Sequence, residues 1–163
     1  MFRAMRRIRQ QLSSEETIEA LEKGEYGVLA VSGDDGYPYA VPVNYVYSDG
    51  KILFHSALEG HKIDAIASCP KVSFCVTARD MVVPEEYTTY FRSVIAFGQA
   101  RIIEEEDEKM HALRLLGDRF NPGHDDALEA EIAKGFSRLH MVAIDIEHVT
   151  GKQAIELTAK GQE

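Results

Sequence analysis

Residues 26–57 read YGVLAVSGDDGYPYAVPVNYVYSDGKILFHSA, and this stretch decides the fold. Residues 26–31 form an apolar run of strand length, closed by the turn Gly33-Asp34-Asp35-Gly36. Residues 37–47 are rich in Val and Tyr, and Ser48-Asp49-Gly50 is a second hairpin turn, since Asp-Gly between apolar runs is a strong short-range signal. Residues 51–56 are the returning strand. Three antiparallel strands before any long helix point away from a parallel βαβ sheet.

The flanking sequence extends this pattern. Ser13 and Glu16 have capping-box spacing, Ile18 and Leu21 share one side of a short helix, and Gly24 ends it. Residues 60–68 predict a second short helix, with Ile63 and Ile66 on one face and Pro70 as its stop. Residues 72–78 predict a fourth strand and residues 87–103 a long fifth one, bent or bulged near Gly98. The acidic run 104–108 suits a helix start; Met110, Leu113, Leu116 and Phe120 form that helix's stripe up to Asn121-Pro122-Gly123. Leu128, Ile132 and Phe136 mark another helix. Residues 139–149 form the last strand, with Val142, Ile144 and Ile146 on one face. The expectation is mainly β with peripheral helices, folded as a small barrel because closure removes exposed strand edges. The domain is expected over residues 13–157, after a basic N-terminal extension (1–12) and before a frayed tail (158–163).

Composition narrows the function classes. The chain has 163 residues, enough for one domain, and its 45% apolar content allows a sizeable core. Lys and Arg total 18 against 27 Asp and Glu, a net charge of −9, which argues against sequence-independent nucleic-acid binding. Arg3, Arg6, Arg7 and Arg9 crowd the start; the run reads as a solvated tail, with a local cationic patch as the alternative. Cys69 and Cys75 form no CxxC and suit a reducing cytoplasm. No apolar run approaches the roughly 18 residues of a membrane span, and the first residues lack the apolar stretch of a secretion signal. The expectation is an acidic cytoplasmic protein with no membrane or nucleic-acid partner.

The stretch from Phe54 to Lys62 carries the chemistry. It joins a strand end, a loop and a helix start, where backbone N–H groups lack internal acceptors and the helix dipole is positive. Gly60 permits close backbone approach, Ser56 can donate from the strand end, and Lys62 adds a full charge, so the segment can hold a phosphate. An ordinary helix start with a Ser, a Gly and a Lys is the equal alternative, because no GxxxxGK[ST] is present. His55 reads as a hydrogen-bonded core histidine or as a functional group, and His61 as a phosphate donor or an exposed helix residue. His140 and His148 share strand parity but lie roughly 26 Å apart at strand rise, so no metal site is expected. GxSxG and GxGxxG are absent. The aromatics of residues 37–47 and 87–97 fill a barrel core or wall a planar ligand.

These segments resemble the FMN-binding split barrels of the pyridoxamine 5′-phosphate oxidase-related flavoproteins, and within them the nitroimidazole-resistance subgroup. The resemblance rests on residues 37–45, 50–57, 60–62, 70–74 and 90–100 and on Thr150-Gly151-Lys152, and runs from about residue 5 to 157. It implies a six-stranded antiparallel split β-barrel that forms a homodimer, with FMN as cofactor at the subunit interface. It places His55, Ser56, Ala57, His61 and Lys62 near the FMN phosphate and ribityl chain. Val41, Pro42, Val43 and Asn44 run along the isoalloxazine ring, and Ser93 reaches the flavin from a neighbouring strand. His55 is the first candidate for an active-site role. The chain departs from the true oxidase in three ways: His61-Lys62 replaces an Arg-Lys pair, Ser93 replaces a flavin-contacting Gln, and the C-terminal Arg-rich substrate motif is missing. Pyridoxal phosphate synthesis is therefore not expected. The implied activity is FMN-dependent oxidoreduction of a small electron-poor substrate such as a nitro compound; a flavin carrier or sensor and a haem-binding barrel are the alternatives.

Overall fold

Local capping and turn chemistry set the boundaries of most elements. The computed structural model describes residues 1–159. Its first helix, α1 (Ser14–Lys23), starts at a complete capping box: the Ser13 hydroxyl accepts from the Glu16 amide and the Glu16 carboxylate accepts from the Ser13 amide. Strand β1 (Tyr26–Ser32) then turns through Asp35 and Gly36, both at positive φ, into β2 (Pro38–Asn44). Tyr45 interrupts the chain before β3 (Val46–Ser48). Asp49 at φ 47° and Gly50 at φ 75° make the tight turn into β4 (Lys51–Ala57). Helix α2 (His61–Ser68) leads to the long hairpin of β5 (Lys71–Val83) and β6 (Thr88–Ile102), which is followed by helices α3 (Glu106–Phe120) and α4 (Asp125–Gly135). Strand β7 (Leu139–Gln153) and the short helix α5 (Ile155–Ala159) complete the fold.

The seven strands form one antiparallel sheet in the order β2-β1-β5-β6-β7-β4-β3. The structure thus corrects the expected six strands to seven, because residues 37–47 form two strands rather than one. The cause is Tyr45. Its ring is fully buried edge-on against Phe74, with centroids 5.1 Å apart, and its hydroxyl donates to the Leu21 carbonyl of α1 at 2.6 Å. Turning that side chain into the core takes its backbone out of the ladder. β2 therefore pairs with β1 while β3 pairs with β4, and the two edges of the sheet are joined covalently through one residue. No ladder pairs β2 with β4, so the sheet curls around a core but stays split.

Two apolar layers hold this arrangement. Inside the curl, Leu29, Ile52, Phe54, Phe74, Val76, Val94, Val142 and Ile144 pack together with Leu21 and Tyr45. Outside it, α3 and α4 cover Leu53, Met141 and Ala143 with Leu113, Leu116 and Ile132. Arg101 fastens α3 to the sheet, donating to both carboxylate oxygens of Glu108 and to Asp145 at 3.2 Å; its bonds to Glu108 hold that carboxyl below its ordinary range. Lys109 donates to the carbonyls of Phe136 and Leu139 and so ties α3 to the α4–β7 junction. The bend expected near Gly98 is present as a register shift between Phe97 and Gly98, where any Cβ would collide with the Asp145 carbonyl.

Two strands run well past their expected ends. β5 reaches Val83 because a second register shift, between Thr77 and Arg79, carries the hairpin beyond the core as an exposed arm. β7 runs to Gln153 and is joined by Gln11 in an isolated bridge to Lys152. Residues 8–12, within the expected extension, are therefore docked on the sheet, with Gln10 and Leu12 buried. Of the expected tail, Thr158 lies in α5 and residues 160–163 lie outside the described residues. Among the described residues, no helix is long and apolar enough to cross a membrane.

Candidate functional site

Strand alternation along β4 separates the predicted residues onto two faces. Ile52, Phe54 and Ser56 point into the curl, while His55 and Ala57 lie on the outer face and are exposed. Ser56 sits opposite His140 of β7 and is 3% exposed, yet its Oγ has no hydrogen-bond partner. Buried hydroxyls are nearly always partnered, because leaving one unsatisfied costs roughly 1–3 kcal/mol. Its position is where β4 ends and the chain must turn into α2.

That turn is made by Gly60 at φ 131°, a conformation L residues rarely adopt, with open space where a side chain would stand. The Gly60 carbonyl accepts from the Ile63 and Asp64 amides at 2.8 and 3.1 Å, but no side chain caps the start of α2. The first amides of the helix therefore keep their partial positive charge for an anion. The His61 ring stacks on Tyr39 of β2, with centroids 4.2 Å apart, and its Nε2 lies 3.7 Å from Asp34 Oδ2. Lys62 is half-buried and has no ion pair among the described residues.

The split brings the second predicted group beside the first. Val46 pairs with Leu53, and extending that register backwards would set Asn44 opposite His55, Val43 opposite Ser56 and Pro42 opposite Ala57. Tyr45 instead steers β2 away to β1, so Val41–Asn44 and His55–Ala57 flank one gap, bridged by the His61–Tyr39 stack. Val41 and Val43 pack towards the core, while Pro42 and Asn44 face outwards. The Asn44 amide donates to the Glu25 carbonyl at 3.0 Å, which fixes the outer rim.

Ser93 is not brought to this gap. It pairs with Thr77 on β5 and with Lys152 on β7, whereas Ser56 pairs with His140 on the same β7. Twelve residues of strand separate the two positions, a contour of roughly 40 Å. The aromatic clusters also divide. Tyr45 and Tyr90 are core, Tyr39 belongs to the gap, and Tyr37 and Tyr87 are exposed. A cavity of about 740 Å³ lies elsewhere, on the outer face of β1, β5 and β6, roofed by Met1 and Phe2. Phe2 stacks on His148 at 4.7 Å and tilts against Phe97 at 5.5 Å. The sequence reading missed this face, although Ile95 and Phe97, two apart on one strand and both exposed, were a signal for it. It also missed Tyr39 and Asp34 as neighbours of His61, since only the fold sets them beside α2.

Comparison with known proteins places this geometry in a family. No curated protein matches the chain in sequence. Among solved structures, an FAD-binding protein from Mesorhizobium loti is 28% identical, over 89% of this chain and 97% of that one, with a TM-score of 0.63. An FAD- and haem-binding protein from Mycobacterium smegmatis is 25% identical, over 93% and 80%, with a TM-score of 0.76. A candidate 5-nitroimidazole antibiotic resistance protein from Bacteroides thetaiotaomicron shares the fold at 20% identity, over 88% and 86%, with a TM-score of 0.72. The sequence also matches the family described as pyridoxamine 5′-phosphate oxidase over residues 13–153, the span from the first capping box to the end of β7. The chain belongs to the pyridoxamine 5′-phosphate oxidase family.

Proposed function

We propose that the chain is an FMN-binding oxidoreductase that reduces a small electron-poor substrate, nitro compounds among them. The observation that carries this reading is the orphaned Ser56 hydroxyl beside an uncapped helix start. A buried donor without a partner, free helix amides and an unpaired Lys62 together suit a terminal phosphate. The FAD-binding relatives support a flavin as the phosphate's owner. FMN is our choice within that class.

When bound, the flavin supplies the redox chemistry, and the chain supplies position and electrostatics. Ser56, the first amides of α2 and Lys62 would hold the phosphate, with His61 kept beside them by its stack on Tyr39. Val41 and Val43 give an apolar wall along the gap, and Pro42 and Asn44 its outer rim. His55 and Ala57 stand on the exposed face of β4, and the His55 ring offers nitrogens that can exchange a proton. Ser93, on β6, pairs too far along β7 from Ser56 to serve the same gap, so a second copy of the chain would provide it in a homodimer with the site at the interface. The two departures at Ser93 and at His61-Lys62, with no Arg-rich C-terminal motif, set the chain apart from enzymes that make pyridoxal phosphate.

The absorption spectrum of the freshly purified protein tests the reading directly. Flavin bands, with FMN as the released species, are expected. A haem band without flavin overturns the assignment in favour of a haem-binding barrel. Steady reduced-nicotinamide oxidation with a nitroaromatic acceptor then separates an enzyme from a carrier or sensor, since a non-catalytic binder shows no turnover with any acceptor.

A further inference from the structure

Helices α3 and α4 cover the outer face of the sheet at β4 and β7, and α1 and α2 pack into the core, so the outer face of β1, β5 and β6 is bare of helix. A face of antiparallel sheet left in water normally carries polar side chains. Here one row of paired residues crosses five strands as Ala40, Ala30, Ser73, Phe97 and His148. The three small side chains make a flat floor, roughly 10 Å from first to last at strand spacing, and the two rings stand at its end. Ile95, exposed beside Phe97, extends the apolar side of β6. The hollow of about 740 Å³ lies over this floor, within the roughly 300–1,000 Å³ of small-ligand sites.

The two rings already hold an aromatic group. Phe2 lies parallel to His148, with 8° between the ring planes and 4.7 Å between centroids, and its centroid is 5.5 Å from that of Phe97. Among the described residues no hydrogen bond holds residues 1–6; the first joins the Gln10 amide to the Arg7 carbonyl at 2.9 Å. Ring contact, rather than backbone bonding, therefore seats Phe2, and contacts of this kind are weak enough to exchange. The Phe2 ring stays 43% exposed, and the hollow extends beyond it over the floor. The chain thus carries an aromatic slot with its own side chain in it, beside a flat surface on which a larger planar molecule fits.

The slot adjoins both parts of the site proposed above. Its rim includes Gly36 and Pro38, beside the turn whose Asp34 lies 3.7 Å from His61. Ser93, Ile95 and Phe97 are alternate residues of β6 on one face, with Phe97 roughly 13 Å along the strand from Ser93. We infer that the hollow seats the flat aromatic substrate, its ring against Phe97 and His148 in the place that Phe2 holds, so that Phe2 competes with the substrate. Naming the occupant as the electron-poor substrate rests on the flavin reading, in which Ser93 faces the partner copy's flavin and Phe97 faces the same way; the aromatic slot does not rest on it. An electron-poor ring suits the position because the face of the Phe97 ring is electron-rich.

Calorimetric titration of 4-nitrobenzyl alcohol into the purified protein tests the inference, with cyclohexylmethanol as the saturated, non-planar counterpart. Wild type, Phe2→Ala and Phe97→Ala are compared, and His148→Ala serves as a second removal of a slot wall. The variants should shift affinity in opposite directions. Phe2→Ala is expected to bind the nitroaromatic roughly threefold more tightly because its competitor is gone, and Phe97→Ala and His148→Ala roughly fivefold more weakly. All three side chains lie on the surface, so melting temperatures should match the wild type. Unchanged or weaker binding by Phe2→Ala, unchanged binding by both wall variants, or equally tight binding of cyclohexylmethanol overturns the slot. Heat reports binding with or without flavin, so the two readings fail separately. Opposite shifts in a protein that carries no flavin keep the slot and sink the substrate role. Flavin bands without those shifts sink the slot and leave the flavin reading standing.

Discussion

Two helices lie at opposite ends of the split sheet, α1 where β1 begins and α2 where the antiparallel β5 begins, and their starts are built differently. α1 opens with a reciprocal capping box, and in its last turn the Leu21 carbonyl accepts from the Tyr45 hydroxyl. α2 opens on a glycine at positive φ with no side-chain cap, and the Ser56 hydroxyl near it has no partner. The core side of both helices is apolar and well packed, so the difference is confined to polar groups. One end spends its polar groups on stability. The other leaves a hydroxyl, helix amides and an ammonium unmatched, which is what a site for an anionic ligand requires.

Substitutions can break or sharpen this contrast. The largest effect is expected at the closed end. Tyr45→Ala should cost roughly 3–5 kcal/mol in denaturant-monitored unfolding, as for other buried aromatic truncations. At the open end, Ser56→Ala and Lys62→Ala should each weaken FMN retention by roughly 1–3 kcal/mol, read by equilibrium dialysis of the flavin. Unchanged retention in both removes the phosphate assignment. Ser13→Ala should lower unfolding free energy by about 1 kcal/mol through loss of the capping box, whereas Ser56→Ala in flavin-free protein should leave stability equal or raise it by up to about 1 kcal/mol, because it removes an unsatisfied buried hydroxyl. Destabilisation of flavin-free protein by Ser56→Ala would erase the contrast. The smallest effect concerns pH. Burial pushes the Tyr45 phenol above its ordinary range, so the folded state holds this proton more tightly than the unfolded state, whose phenol titrates near ~10. The stabilisation is complete below that value and is lost as pH rises above it. Tyr45→Phe should therefore show a shallower alkaline loss of stability than the wild type.

The open end was more legible in the sequence than the way its parts meet. Gly60 followed by His61 and Lys62 marked a helix start, and strand-end residues 55–57 were readable from alternation. The burial of Ser56 was not, because it depends on which face of β4 turns inwards. Likewise local pattern alone does not join Val41–Asn44 to His55–Ala57; the family resemblance implies one cofactor between them, and the departure of β2 at Tyr45 is what sets them across one gap. The strand that looked continuous through residues 37–47 was misjudged for the same reason. Nothing in the local pattern tells a tyrosine in a ladder from one turned into the core to meet a helix carbonyl. The arginine run was read as a tail because charge runs are normally solvated; its docking comes from one bridge to β7, a contact between residues 141 positions apart.

Sequence alone determined what short-range chemistry controls: the capping box of α1, the Asp49-Gly50 turn, the glycine start of α2, the bulge at Gly98 and the alternation of each strand. These depend on sterics and hydrogen bonds within a few residues, so the local pattern is sufficient. Tertiary structure decided the split, the distance of Ser93 from Ser56, the burial of an unpartnered hydroxyl and the seating of Phe2 against Phe97 and His148. Each of these is a relation between segments far apart in the chain. Register and packing fix such relations only when the whole sheet has formed.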